Sequence, residues 1–283
     1  MKWHNWAPAA LSSLGVVAIV GVAVGLVRLS PPEPVPDTDR QTLPTVGDQS
    51  YRVRTYLITD TVNGPKLIRN DTFALADKGK KLPAAIAAVV AGTSFDHDYR
   101  SAFPQGSSVG IKETSDGTLL VDLSGIVPNV EYGDAGALAA EALRRTIASN
   151  GGPAEYVVAI NGRPITQLMG APVKAPLNEQ ALAPVEITAP SEGARLGTRV
   201  AIAGKVASPD GVFNWAVVNA DGVVVKKGLG QAQSCCTRSP YNIQLELAPG
   251  SYQVMVSSLP VGKPDVERSE VQVNIDTKNF EVR

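Results

Sequence analysis

Apolar residues are concentrated differently along three stretches of the chain. From Ala7 to Val27 there are 21 residues without a charge, ten of them Leu, Ile or Val. At about 1.5 Å per residue a helix of that length matches a bilayer core of about 30 Å. Pro8 opens the run, where a missing N–H costs nothing, and Trp3 and Trp6 precede it at headgroup level. The run predicts an N-terminal transmembrane signal anchor over residues 1–30. The competing reading, a cleaved signal peptide, has only Ala23-Val24-Gly25 as a cleavage site, inside the apolar run. Residues 31–50, PPEPVPDTDRQTLPTVGDQS, are Pro-rich and polar and predict a stiff linker. Charges flank the run almost evenly, so the stalk carries the topology: the remainder of the chain is expected outside the cytoplasm.

From residue 51 the period shortens. Tyr51–Asp60 and Lys66–Leu75 read as strands around the turn Asn63-Gly64-Pro65. Leu82, Ile86, Val89 and Val90 then follow helical spacing, with Pro83 at the start and Gly92 at the end. Residues 108–124 alternate as a hairpin through Ser115-Asp116-Gly117. A second helix is expected over 135–149, capped by Asp134, striped by Leu138, Ala142, Leu143 and Ile147, and stopped by Asn150-Gly151. Tyr156–Ile160 closes an order ββαββαβ: an α/β domain over 51–170, with an antiparallel or mixed sheet covered by two helices on one face. Residues 171–184 read as a second linker.

Beyond it, seven short segments alternate between Pro, Gly and Asp turns: Val185–Thr188, Arg199–Ala207, Phe213–Val218, Val223–Gly228, Tyr241–Leu247, Tyr252–Ser257 and Val271–Ile275. This is the pattern of an all-β immunoglobulin-like sandwich over 185–283, with Trp215 expected at its packing centre.

Composition narrows the function classes. Twenty-six Lys and Arg against 27 Asp and Glu leave a net charge of −1, which excludes a strongly basic nucleic-acid binder. Two His and two Cys leave little material for a metal centre or a His-dependent active site. No phosphate loop, catalytic carboxylate pair or calcium-loop spacing is present. The sequence therefore predicts no catalytic residue, cofactor or metal. Asp96-His97-Asp98 reads as a solvated loop, because consecutive residues of extended chain point to alternate faces. Lys78-Gly79-Lys80-Lys81 reads as a solvated turn, with contact to an anionic envelope polymer as the second reading. Cys235-Cys236 has three readings: a vicinal disulfide, two free thiols, or a bridge to a partner or second copy.

Two resemblances accompany these readings. Ser101, Pro104 and Gly106, the turn Asp116-Gly117, Val121-Asp122-Leu123-Ser124 and Val158-Ala159-Ile160-Asn161-Gly162 resemble the GerMN domain of sporulation and spore-germination proteins. Ala189-Pro190, Gly193, Val200 through Gly204, Phe213 and Asp221-Gly222 resemble Gmad2, an immunoglobulin-like module of bacterial envelope proteins. Where that family often has an acid after its Phe, this chain has Asn214. The resemblance implies a non-enzymatic extracytoplasmic protein that docks or assembles an envelope complex, in sporulation or germination. Its partners would be envelope proteins or further copies of itself, with Arg144 and Arg145 on the second helix as the interaction surface. The alternative is a ligand-binding module for peptidoglycan or a small envelope molecule.

Overall fold

The structure is a computed structural model that describes residues 48–127, 133–258 and 273–283. The apolar run of 7–27 and most of the stalk lie outside the described residues. Among those described, no helix is long and apolar enough to cross a membrane. The described chain is mostly β-structure with two α-helices.

Asn63-Gly64 joins β1 (Asp48–Thr61) to β2 (Gly64–Asp77) as an antiparallel ribbon in unbroken register. Helix α1 (Lys81–Ala91) buries Ala84, Ala85, Ile86, Ala88, Val89 and Val90. Gly92 ends it with φ 72°, and a Cβ there would lie 2.9 Å from the Ser101 nitrogen, so this C-cap accepts only glycine. Strands β3 (Ser108–Glu113) and β4 (Leu119–Ser124) pair antiparallel. Helix α2 (Asp134–Ser149) is the crossover that brings β5 (Tyr156–Ile160) parallel to β4, and β6 (Arg163–Ile165) turns back on β5. The expected single sheet is instead a two-stranded ribbon and a separate four-stranded mixed sheet, β3-β4-β5-β6. Asp134 does not cap α2 either. It is the first helical residue, and Gly133 holds the cap position with φ 55° and no side-chain hydrogen bond.

Two short strands, β7 (Gln167–Leu168) and β8 (Ala171–Pro172), follow. The stretch read as a linker is packed down: Val173, Ala181, Leu182 and Ala183 are buried in the first core, and the Ala183 N–H donates to the Leu67 carbonyl at 2.7 Å.

The second half contains β9 (Val185–Ala189), β10 (Ala194–Leu196), β11 (Arg199–Val206), β12 (Val212–Asn219), β13 (Val224–Gln231), β14 (Ser239–Glu246), β15 (Gly250–Ser258) and β16 (Val273–Val282). They form a five-stranded sheet, β10-β16-β15-β12-β13, and a three-stranded sheet, β14-β11-β9. Ile202 and Val200 of one sheet share a core with Phe213, Val217, Val254 and Val256 of the other. Phe213, not Trp215, is its centre. Phe213 is fully buried with its ring centroid 4.6 Å from that of Tyr241, whereas Trp215 is half-buried. On β13, a Cβ at Gly230 would stand 2.2 Å from the Phe213 ring, and one at Gly228 would stand 2.9 Å from the indole. Both aromatic rings lie over glycines on one face of β12, Phe213 within the core and Trp215 half-buried at its margin. Strand β16 runs to Val282, well past the expected end at Ile275.

The β13 glycines therefore admit a direct check. Gly230→Val should lose about 1–3 kcal/mol in urea unfolding, the usual cost of overpacking. Leu229→Thr, one position away on the exposed face, should stay within about 0.5 kcal/mol.

Candidate functional site at the domain junction

The polar residues that carry β16 past Ile275 explain why it reads as a loop. Asp276 and Lys278 share one face by strand alternation and point into the seam between the two halves. Opposite them, the loop after α1 presents Asp96 and Tyr99. All four are buried, with side-chain exposures of 3% for Asp276, 7% for Lys278 and 6% for Asp96. Lys278 Nζ lies 2.6 Å from Asp96 Oδ2, 3.2 Å from Asp276 Oδ1 and 3.0 Å from the Thr277 carbonyl. It also contacts the Tyr99 hydroxyl and sits 4.3 Å from the Tyr99 ring centroid. Tyr99 donates to Asp276 Oδ1 at 2.7 Å, and the Ile187 N–H donates to Asp276 Oδ2 at 2.5 Å. At the rim, Thr277 Oγ1 donates to Asp98 Oδ2 at 2.9 Å.

Burial pushes the Asp276 carboxyl above its ordinary range despite Lys278. Burial would lower the Lys278 ammonium, but Asp276 and Asp96 outweigh it and hold it above its ordinary value. Tyr99 is raised by burial and by the same two carboxylates, so it stays a neutral donor. No nucleophile stands beside a base here. The arrangement is a charge network that needs both halves to be complete.

Asp96-His97-Asp98 is thus not a solvated loop throughout. Asp96 is buried in the network, Asp98 holds Thr277, and His97 alone of the three is exposed without a hydrogen-bonding role at the seam. His97 borders an open hollow with Thr59, Asp60 and Ile275. Among the described residues no group of three His, Cys, Asp or Glu could hold a metal ion.

Beside the network lies a cavity of about 270 Å³ shared by the two halves. Arg52, Asp71, Phe73 and Phe95 line one side and Thr188 and Glu192 the other. Asp71 accepts from Arg54 at 3.0 Å and Arg69 at 3.1 Å. Burial would raise its carboxyl, but the two guanidinium groups hold it below the ordinary value.

Arg144 and Arg145 lie elsewhere and are not the exposed pair the sequence leads one to expect. Arg145 is buried, donating to Glu141 at 2.6 Å and Glu179 at 2.8 Å. Arg144 donates to Glu141 at 2.7 Å and to the Pro172 carbonyl at 2.6 Å. Together they hold the 172–179 segment onto α2, an internal role that engages both cations. Cys235 and Cys236 are exposed free thiols with sulfurs 2.7 Å apart, in the loop before β14. The residues that sequence reading passed over are Asp276, Lys278, Tyr99, Phe73 and Phe95. The one available signal was the Asp-x-Lys spacing of Asp276 and Lys278, which places both on one face of a strand.

Lys278→Met leaves Asp276 and Asp96 buried without their cation and should cost about 3–5 kcal/mol in chemical unfolding at pH 7. The sign of its pH dependence follows from the raised Asp276 carboxyl. Such a group contributes stability below the unfolded value of about 3.9 and loses it as pH rises through the folded one. The deficit of the variant should therefore be largest at neutral pH and narrow on acidification, and the double variant Asp276→Asn/Lys278→Met should recover part of it.

Comparison with known proteins fits this two-part build. Residues 47–166 match the Germane family, described as sporulation and spore germination, and residues 184–260 match Gmad2, the immunoglobulin-like domain of bacterial spore germination. A search of curated proteins gives no match. Among solved structures, the tandem GerMN domains of the sporulation protein GerM from Bacillus subtilis align with TM-score 0.37 and 15% identity, over 70% of this chain and 62% of that one. The first GerMN domain of the same protein aligns with TM-score 0.34 and 17% identity, over 44% of this chain and 96% of that one. A putative lipoprotein from Clostridium perfringens aligns with TM-score 0.28 and 17% identity, over 44% of this chain and 82% of that one. The chain thus joins a Germane domain to a Gmad2 domain, two domain families of sporulation and spore germination.

Proposed function

We propose that this chain is a non-enzymatic, membrane-anchored docking element that assembles an envelope complex outside the cytoplasm during sporulation or germination. The observation that carries the reading is the junction itself. Lys278 and Asp276 of one domain and Asp96 and Tyr99 of the other are buried together. A buried network of this kind is satisfied in one relative placement of the domains, which is what a docking element needs to present a fixed surface. The uncharged run of 7–27 and the Pro-rich stretch after it support anchoring through a single N-terminal helix. A second reading, a ligand-binding module for peptidoglycan or a small envelope molecule, is favoured by the cavity that both domains line.

The test is crosslinking followed by pull-down from membranes of sporulating cells, with topology checked by protease on wall-stripped cells. Residues beyond about 30 should be digested, a discrete partner should be recovered, and Lys278→Met should recover less of it at equal abundance. His97→Ala should change nothing. Protection of the domains from protease would defeat the anchoring. Loss of function in His97→Ala with intact partner capture would overturn the non-enzymatic reading.

A further inference from the structure

The β1–β2 ribbon has two outer edges, and they are treated differently. On β1, residues with even numbers turn their N–H and C=O groups away from β2, as the Ile58–Arg100 pairing shows. That edge is engaged at Arg54 and Ile58. Asn150, which caps the C-terminus of α2, accepts from the Arg54 N–H at 3.1 Å and donates to the Arg54 carbonyl at 2.6 Å, and Arg100 pairs with Ile58 in both directions. On β2 the outward groups belong to the odd positions Leu67, Arg69, Asp71, Phe73 and Leu75, since Leu67 is paired with Ile58 in register. Leu67 is covered by Ala183. Among the described residues, the outward backbone groups of Arg69, Asp71, Phe73 and Leu75 have no partner.

Arg69 and Asp71 give the first half of this edge the charge that usually protects an edge strand, but Phe73 and Leu75 leave its second half without charge or proline. Phe73 is 57% exposed and Leu75 is 63% exposed, and Phe95 across the cavity is 63% exposed. Beyond Leu75 the strand runs into Lys78, Lys80 and Lys81, all exposed, and Arg52 stands directly across the ribbon from Phe73. Asp71 is already held by Arg54 and Arg69, and Glu192 across the cavity is engaged by Asn279; Asp77 lies exposed among these cations, with Asp48 opposite it in register.

We propose that the outer edge of β2, Arg69 to Leu75, is a strand-addition site for an extended acidic segment of a partner protein. The open backbone groups would be completed by an added strand, as in β-augmentation generally. Apolar side chains of that strand would lie beside Phe73 and Leu75, where cross-strand neighbours stand about 5 Å apart. Its carboxylates would meet Arg52 and the lysines. The proposal rests on the docking reading above and names the surface that does the docking and the chemistry of what it takes.

The probe is an acetylated, amidated heptapeptide alternating glutamate and valine around a central phenylalanine, added to the full-length chain in detergent. Residue-resolved hydrogen exchange gives the readout. Amides of Asp71, Phe73 and Leu75 should slow on addition, while those of Asn70, Thr72 and Ala74, already facing β1, should not change. Phe73→Asn and the double reversal Lys80→Glu/Lys81→Glu should each weaken binding on the order of tenfold. A matched peptide with lysine for glutamate should bind more weakly. No added protection, or equal protection by the lysine peptide, overturns the proposal. So does protection present before any peptide is added: independent of protein concentration it means another segment of this chain covers the edge, and dependent on it, a second copy. If membrane pull-down still recovers the same partner from Phe73→Asn at wild-type yield, docking stands and this surface is excluded from it. If no partner is recovered from any variant or from wild type, docking itself fails.

Discussion

A single ammonium group sets the terms for this structure. Lys278 cannot be taken out of water cheaply; an unpaired buried ion costs several kcal/mol even after relaxation. It is buried all the same, because Asp276 on its own strand and Asp96 and Tyr99 from the other domain surround it. Asp276 is in turn completed by the Tyr99 hydroxyl and the Ile187 N–H. An apolar seam tolerates sliding, whereas this one satisfies its donors and acceptors in a single placement. The charges that would make a poor core make a specific joint.

Other features reinforce that placement. The segment between the domains is not a free tether, since Glu141, Arg144 and Arg145 of α2 hold residues 172–179, and Ala181 to Ala183 are buried against the first core. The seam also determines what remains open. The β1 edge is occupied at Arg54 by Asn150 and at Ile58 by Arg100, Leu67 is covered by Ala183, and Arg69, Asp71 and Phe73 of the β2 edge line the shared cavity. Rigidity and the exposed edge thus come from the same arrangement of strands.

Much of the fold is legible in the sequence because local rules govern it. The Asn63-Gly64 turn, the helical spacing of Leu82 to Val90 and the alternation of Val200, Ile202 and Gly204 all act within a few residues. What is missed depends on distant partners. Strand β16 reads as ending at Ile275 because Asp276-Thr277-Lys278-Asn279 is polar; its buried charges make sense only beside Asp96, 182 residues from Lys278. Phe213 takes the place expected for Trp215: it packs against Tyr241 of the opposite sheet, while Trp215 on the same strand face stays at the margin of the core. Arg144 and Arg145 sit where a helix would show cations to solvent, but the following segment folds back on them, Pro172 onto Arg144 and Glu179 onto Arg145. In each case the local pattern is sound and a long-range contact overrides it.

The most direct test of the central claim is the distance between the two domains in solution. Spin labels at Lys112→Cys and Lys227→Cys, in a background with Cys235→Ser and Cys236→Ser, report it by double electron–electron resonance. The account predicts one narrow distance distribution for the otherwise native chain and a broad one once Lys278→Met is added. A broad distribution in the native chain, or a narrow one that Lys278→Met leaves unchanged, would contradict it.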